Sequence, residues 1–323
     1  MKPRRERDLN VDIWGIVVIA AFLLVPLLGR SPLTLSLGHQ VVIGITAAFA
    51  VYIMERMNLL AFTVPAFMAI GGYAAAMLAT NGITSLPILM LVALVVPMIV
   101  ALPLGLVVLR LKGVYFIFFT FILNEALQVV IFETPGLTGG ANGIAGIPPA
   151  SFMGQSLSTL PLLTAVTVVT GIVAGILTLL VTHRFRAEFS AIQDNQTLAQ
   201  SLGVAVWKYR TIGFIASAGI SGLAGFALVN MLSTAHPSSF TSMSAVQYVA
   251  YAFVGGKTTI LGSVVGASLL VTMSNLFSAQ GMLSSALFGL LLMSVVMAAP
   301  GGIVGEIRKR IERMRLNRLR DRT

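Results

Sequence analysis

The chain has 323 residues, of which 57% are hydrophobic and 10% charged, and its mean hydropathy is +0.93. Soluble domains carry about 25% charged residues, and one water-soluble core cannot bury this much apolar sequence at this length. Composition therefore excludes a cytoplasmic globular enzyme and a disordered chain. With no cysteine it also excludes a disulfide scaffold, which leaves an all-α polytopic membrane protein as the fold class.

The first twelve residues carry Lys2, Arg4, Arg5 and Arg7 and read as a cytoplasmic N-terminus. The apolar run that follows, over 13–29, ends without a small-x-small cleavage pattern. It reads as an uncleaved first helix rather than a secretion signal. Further runs long enough to cross a bilayer, about 17–25 residues, lie at 38–54, 59–79, 86–109, 114–132, 158–181, 211–234, 260–278 and 282–299. A shorter run at 244–256 has the length of a re-entrant or half-spanning segment.

Charge placement resolves that ambiguity. With ten crossings and a cytoplasmic N-terminus, 20 of the 21 Lys/Arg residues face inside and only Arg30 faces outside, as the positive-inside rule requires. Omitting the 244–256 crossing alone would move the basic tail outside. The expectation is therefore about ten transmembrane helices over 13–304, with both termini cytoplasmic. Residues 305–323 hold eight Lys/Arg against three Asp/Glu, half of the chain's net charge of +10. Such a tail reads as an anchor on anionic membrane lipid and not as a nucleic-acid surface.

Two connections are long. The outward loop, 133–157, holds six Gly and three Pro and reads as a folded loop of turns. The inward loop, 182–210, carries an amphipathic stretch. Ala191, Ile192, Leu198, Ala199 and Leu202 recur at helical spacing on one face, with Asp194, Asn195, Gln196 and Gln200 mostly elsewhere and Gly203 as a stop. A helix of this kind inside a cytoplasmic loop needs something to bury its apolar side. It lies on lipid, under its own bundle, or in a groove of a partner protein. Its uncharged polar face favours the partner.

Motifs for bond chemistry are missing. Gly256-Lys257-Thr258 resembles the end of a P-loop, but Tyr251 stands where the first Gly is needed and no strand precedes it. His39, His183 and His236 have no metal-ligand spacing. The sequence thus predicts no catalytic residues, no metal site and no cofactor. Within the spans the one deep acidic residue is Glu125, next to Asn124 and three residues before Gln128. A carboxylate in hydrocarbon costs about 2.5–3.5 kcal/mol on insertion scales and is expected to face the bundle interior or water. An interhelical hydrogen-bond clamp is favoured over a proton or solute relay, because no second ionisable group shares the spans. Gly171/Gly175, Gly219/Gly222/Gly225 and Gly262/Gly266 read as close helix–helix packing.

Several segments resemble one family. They are RLKGVYFIFFTFILNEALQ (110–128), LTGGANGIAGIP (137–148), SAIQDNQTLAQSLGVAVWKYR (190–210), SAGISGLAG (217–225), SFTSMSAVQYVAYAFVGGKTTILGSVVGA (239–267) and AAPGGIVG near the C-terminus. In this order they are similar to the permease subunits of bacterial branched-chain amino-acid ABC importers, of the M-type. The resemblance implies a type II-like importer bundle in the bacterial inner membrane. The implied partners are a second, homologous permease chain, two cytoplasmic ATPase subunits and a periplasmic substrate-binding protein. It further implies that the inward loop couples to the ATPase through Ser190, Ala191, Ile192, Asp194, Gln196, Leu198, Ala199, Leu202 and Gly203, with Gln196 replacing the family's usual acidic residue. The external loop would be structured by Thr138, Gly139, Gly140, Asn142 and Gly143. One departure stands before AFMAIGGYAAAM (66–77), where MNLLAFTVP replaces a stretch of Gly-Gln-x-Ser-x-Gly-His type. The expected function is import of a small polar solute, with an ion-coupled secondary transporter using Glu125 as the alternative.

Overall fold

The computed structural model describes residues 31–256, 259–278, 283–298 and 302–306. The expected first helix at 13–29, Lys257 and the basic tail beyond Glu306 lie outside the described residues. The long helices are α1 (Pro32–Glu55), α2 (Val64–Thr80), α3 (Leu86–Val108), α4 (Val114–Glu133), α5 (Leu160–Arg184), α8 (Val206–Leu232), α10 (Ile260–Ser278) and α11 (Leu283–Ala298). Between α5 and α8 stand two short helices, α6 (Arg186–Asp194) and α7 (Gln196–Ser201). The helix α9 (Ser242–Gly255) precedes α10.

The starts of the helices follow from local chemistry. Ser31 caps α1 by accepting from the Thr34 amide at 3.2 Å, with Pro32 in the first turn. Proline also opens α2, α3 and α5, where its missing N–H has no intrahelical acceptor to lose.

Six of these helices are long and apolar enough to cross a membrane among the described residues: α1, α3, α4, α5, α8 and α10. The chain is thus an all-α multi-pass membrane protein. Three more runs of the expected ten form shorter helices. They are α2 with 17 residues, α9 with 14 and α11 with 16. At 1.5 Å per residue α9 reaches only about 21 Å, short of the ~30 Å hydrocarbon core.

The core is built around α8, which packs on α1, α2, α3 and α5. Glycine sets its close approach. A methyl on Gly222 would overlap the Ala93 carbonyl, and one on Gly225 the Met68 carbonyl. Pro97 in α3 lacks the N–H that the Ala93 carbonyl would otherwise accept. That carbonyl instead faces the bare Cα of Gly222 and Gly71, a Cα–H···O approach open only to glycine. Helices α9 and α10 form a second close pair, where methyl groups on Gly255, Gly262 or Gly266 would strike the facing backbone. The expected packing role of these glycines therefore has a backbone-level cause.

A buried histidine ties α1 to α5. His39 has no exposed surface. Its Nδ1 lies 2.9 Å from the Thr167 hydroxyl and its Nε2 lies 3.0 Å from the Thr164 hydroxyl. Both ring nitrogens are thus satisfied inside the bundle.

Two opposite ends result. One carries the Gly-rich loop. The other carries Arg56, Arg110, Lys112, Arg184, Arg186, Lys208 and Arg210, which are all the Lys and Arg residues among those described.

Candidate functional site: a mid-helix polar cluster, a Gly-rich loop and a two-helix connection

The mid-helix cluster forms where α4 meets the chain before α9. Asn124 is fully buried and its side-chain amide donates to the Ser242 hydroxyl at 2.6 Å. Gln128 donates to the Phe240 carbonyl, and the Tyr73 ring of α2 lies 6.2 Å from that of Phe240. Two polar atoms of this cluster, the Tyr73 hydroxyl and Asn124 Oδ1, are buried without a hydrogen-bond partner. The clamp expected of Glu125 is thus made by its neighbours. Glu125 itself is exposed on the outer face of α4, away from the bundle interior. The reason is helical geometry. Successive residues are turned by about 100°, so burial of Asn124, Thr120 and Phe116 on one face turns Glu125 outward. Tyr73 and Ser242 were not legible as members of this cluster, because neither has a signal beyond being a polar residue in an apolar run.

The Gly-rich loop is held by backbone geometry. Thr138 is buried and its hydroxyl donates to the Ile131 carbonyl at 2.6 Å or the Thr134 carbonyl at 2.8 Å. It accepts from the Gly140 amide at 3.2 Å. Gly139, Gly140 and Gly143 all have left-handed φ, at 75°, 57° and 65°, a conformation that side chains disfavour. A methyl on Gly143 would also overlap the Ala235 carbonyl. This lets strand β1 (Ile144–Ala145) pair antiparallel with β4 (Thr234–Ala235), which joins the loop to the end of α8. Asn142 stays exposed. A second hairpin, β2 (Ser151–Phe152) with β3 (Gln155–Ser156), projects Met153 at its tip with 90% exposure.

The two-helix connection lies at the basic end. The single amphipathic helix expected over 190–202 is broken at Asn195, whose backbone is extended (φ −158°, ψ 107°) and whose side chain caps α7 by accepting from the Leu198 amide at 3.0 Å. The break divides the apolar residues. Phe189 and Ile192 of α6 and Ala199 of α7 are buried in the chain's own bundle, whereas Leu198 and Leu202 are 57% and 76% exposed. They therefore do not share one face, because the 100° periodicity restarts after Asn195. Ala191, Ser190 and Gln196 are half-buried, Asp194 is exposed, and Gly203 ends α7 with φ 84°. Trp207, 54% exposed, begins α8 close by in sequence.

Gln193, which the sequence gave no reason to single out, fixes this connection to α1. Its side-chain amide donates to the Glu55 carbonyl at 3.2 Å and its oxygen accepts from Arg56 Nη1 at 3.2 Å. Ring contacts of Phe185 with Phe189 (5.9 Å) and with Tyr209 (5.8 Å) fix it to α8 as well. The connection is thus fastened to the ends of α1 and α8 together.

A cleft of about 190 Å³ between α1, α8, α9 and α10 is lined by Gln40, Gln247, Tyr248, Tyr251, Ser274 and Asn275 with apolar neighbours. It offers hydrogen-bonding groups and no charged side chain. No group of three His, Cys, Asp or Glu residues suited to a metal occurs among the described residues.

A multi-pass helical bundle with a pinned loop at one end and a two-helix connection at its basic end defines the class, an all-α polytopic membrane protein. Residues 33–299 match the family described as branched-chain amino acid transport system / permease component, and the chain belongs to that family. It is 24% identical over 328 residues to the high-affinity branched-chain amino acid transport system permease protein LivM of Escherichia coli K12, covering 93% of this chain and 73% of that protein. LivM of Salmonella typhimurium LT2 is 24% identical over 307 residues, covering 86% of this chain and 68% of that protein. No solved structure matches the chain.

Proposed function

We propose that the chain is the transmembrane subunit of an ATP-driven, binding-protein-dependent importer that carries branched-chain or related amino acids across the bacterial inner membrane. It performs no bond chemistry. The observation that carries this reading is the exposed apolar pair of Leu198 on α7 and Leu202 at its C-cap, set at the basic end and braced to α1 and α8 through Gln193 and Phe185. Burying two leucines against a partner contributes roughly 3–6 kcal/mol, and water is a poor environment for such a pair.

In this account the basic end faces the cytoplasm, as its seven Lys and Arg residues favour. ATPase subunits seat this pair in a groove, and their closure on ATP moves α6 and α7. The motion passes to α1 and α8 and rocks the bundle between inward and outward states. The Gly-rich loop and the Met153 hairpin lie at the opposite end, where a periplasmic binding protein delivers solute. The relatives named for branched-chain amino acid transport support that solute class. A secondary transporter driven through Glu125 is disfavoured, since that carboxylate points away from the bundle and no second Asp, Glu, His, Lys or Arg joins it in α4 before Glu133.

The test is the double variant Leu198→Asp/Leu202→Asp in the complete transport system. ATP-dependent uptake is expected to be lost and the ATPase to dissociate, while the chain still inserts in the membrane. Uptake that survives this change overturns the coupling assignment.

A further inference from the structure

The cleft between α1, α8, α9 and α10 carries an inference that rests on the reading above and deepens it. Six Asn and Gln side chains stand in the long helices and α9, and three of them, Gln40, Gln247 and Asn275, line this one space. They come from three different helices. Gln40 is eight residues into α1, Gln247 five into α9, and Asn275 three from the end of α10. At 1.5 Å per residue these depths are about 12, 8 and 5 Å from the end that carries the Gly-rich loop. The cleft therefore occupies the outer half of the bundle. Polar side chains are costly in a span and mark solute paths or interhelical bonds.

Interhelical bonding accounts for only part of this set. Asn275 Nδ2 donates to Gln40 Oε1 and to the Val271 carbonyl, both at 2.9 Å. That uses both of its amide hydrogens and leaves those of Gln40 to be given. Gln247 is half-buried and makes no hydrogen bond to the described residues. Beside these groups Ile43, Leu228 and Val271 add aliphatic surface, and the Tyr248 and Tyr251 rings meet edge to face at 6.0 Å. Gly44 leaves the space open. A methyl there would lie 3.0 Å from Val271 Cγ2 and 3.3 Å from the Tyr251 ring. Helix α9, which supplies Gln247 and both tyrosines, is also the one that falls short of a full crossing and ends on Gly255 and Gly256. Short, glycine-interrupted segments of this kind border solute sites in transporter bundles.

We infer that this cleft is a solute station inside the single chain, where the zwitterionic head of an aliphatic amino acid sits on Gln40, Gln247 and Ser274 and its side chain lies against Ile43, Leu228 and Val271. The permease then selects its cargo itself, in addition to any selection by the binding protein. A carboxamide both donates and accepts, so two of them serve the carboxylate and the ammonium of one head group. That head group brings no net charge into the cleft. A basic or acidic side chain brings a third charge, and no Lys, Arg, His, Asp or Glu among the described residues lines the cleft to balance it.

The absence of cysteine in the chain makes a direct test available. Ser274→Cys puts the chain's one thiol in the cleft. Its alkylation by radiolabelled iodoacetamide, an uncharged reagent of solute size, is followed in washed membranes of cells producing the complete transport system, with neither binding protein nor nucleotide present. Leucine at about nine times its dissociation constant is expected to slow alkylation ~10-fold by occupancy, and lysine or glutamate to leave it unchanged. Thr272→Cys, exposed on the same helix outside the cleft, is expected to react alike with and without leucine. Adding Gln247→Leu to Ser274→Cys is expected to raise the leucine concentration needed by ~10-fold, as for loss of one or two neutral hydrogen bonds. A thiol at 274 that does not react overturns the inference, since a solute could not reach it either. So does alkylation that leucine leaves unchanged, slowing that lysine or glutamate matches, equal slowing at 272, or protection that Gln247→Leu leaves intact. Loss of the station with ATP-driven uptake intact leaves the proposed function standing. Protection by leucine together with uptake that survives Leu198→Asp/Leu202→Asp overturns the coupling assignment and leaves the station standing.

Discussion

Replacing Gln193 with alanine removes both hydrogen bonds that fasten α6 to the end of α1, to the Glu55 carbonyl and from Arg56, each at 3.2 Å. A neutral hydrogen bond contributes about 0.5–1.5 kcal/mol net and one to a charged group about 1.5–3 kcal/mol. Both bonds are long, and Gln193 and Arg56 are half-exposed, so solvent screening places both at the lower ends of these ranges. The sum is about 2 kcal/mol, or about 30-fold in a local opening equilibrium. Hydrogen exchange reads this directly, because the α6 amides exchange through local opening. The expected result for Gln193→Ala is exchange ~30-fold faster over residues 186–194, with the exchange of α2 and of the middle of α8 unchanged. Arg56→Ala alone is expected to give part of that effect, and the double variant less than the sum of the two. Uptake per ATP hydrolysed is expected to fall in the same variants while ATPase binding through Leu198 and Leu202 persists. Exchange within 2-fold of the unsubstituted chain would show that burial of Phe189 and Ile192 alone holds α6, and would refute the brace.

Three further outcomes follow from particular contacts. Gly225→Leu puts a side chain into the Met68 carbonyl and is expected to cost about 3 kcal/mol or more, read as loss of the folded chain in detergent thermal-melt assays. Asn124→Ala removes the donor to Ser242 and is expected to cost about 1 kcal/mol in the membrane; a change that leaves uptake and melting untouched argues against the clamp. Gly143→Val combines a side chain at φ 65° with overlap on the Ala235 carbonyl. It is expected to unpair β1 from β4 and to weaken binding-protein-stimulated ATPase activity several-fold, with basal activity retained.

The fold was legible in the sequence to the extent that it depends on hydropathy and on glycine. The apolar runs between residues 38 and 299 coincide with helices, and Gly222, Gly225, Gly262 and Gly266 pack as their spacing suggests. The Ala93 carbonyl as the point of approach was not legible, since it depends on Pro97 in one helix meeting Gly222 in another. In the candidate site, helical periodicity carried the reading of 190–202 only as far as the extended residue Asn195. Beyond it the phase changes, which is why Ile192 and Leu198 point to different surroundings. Composition marked Glu125 as anomalous but said nothing about its direction. Only the burial of Phe116, Thr120 and Asn124 decides that it faces outward. Gln193 was invisible for a similar reason, because its partners lie at Glu55 and Arg56, far away in the chain.

The most direct measurement is uptake of radiolabelled leucine into proteoliposomes holding the complete transport system, with binding protein outside, at the Gly-rich-loop end, and nucleotide enclosed inside, at the basic end. The account predicts uptake that needs enclosed ATP and continues when proton and sodium gradients are collapsed by ionophores. Uptake without ATP that follows an imposed ion gradient would contradict it.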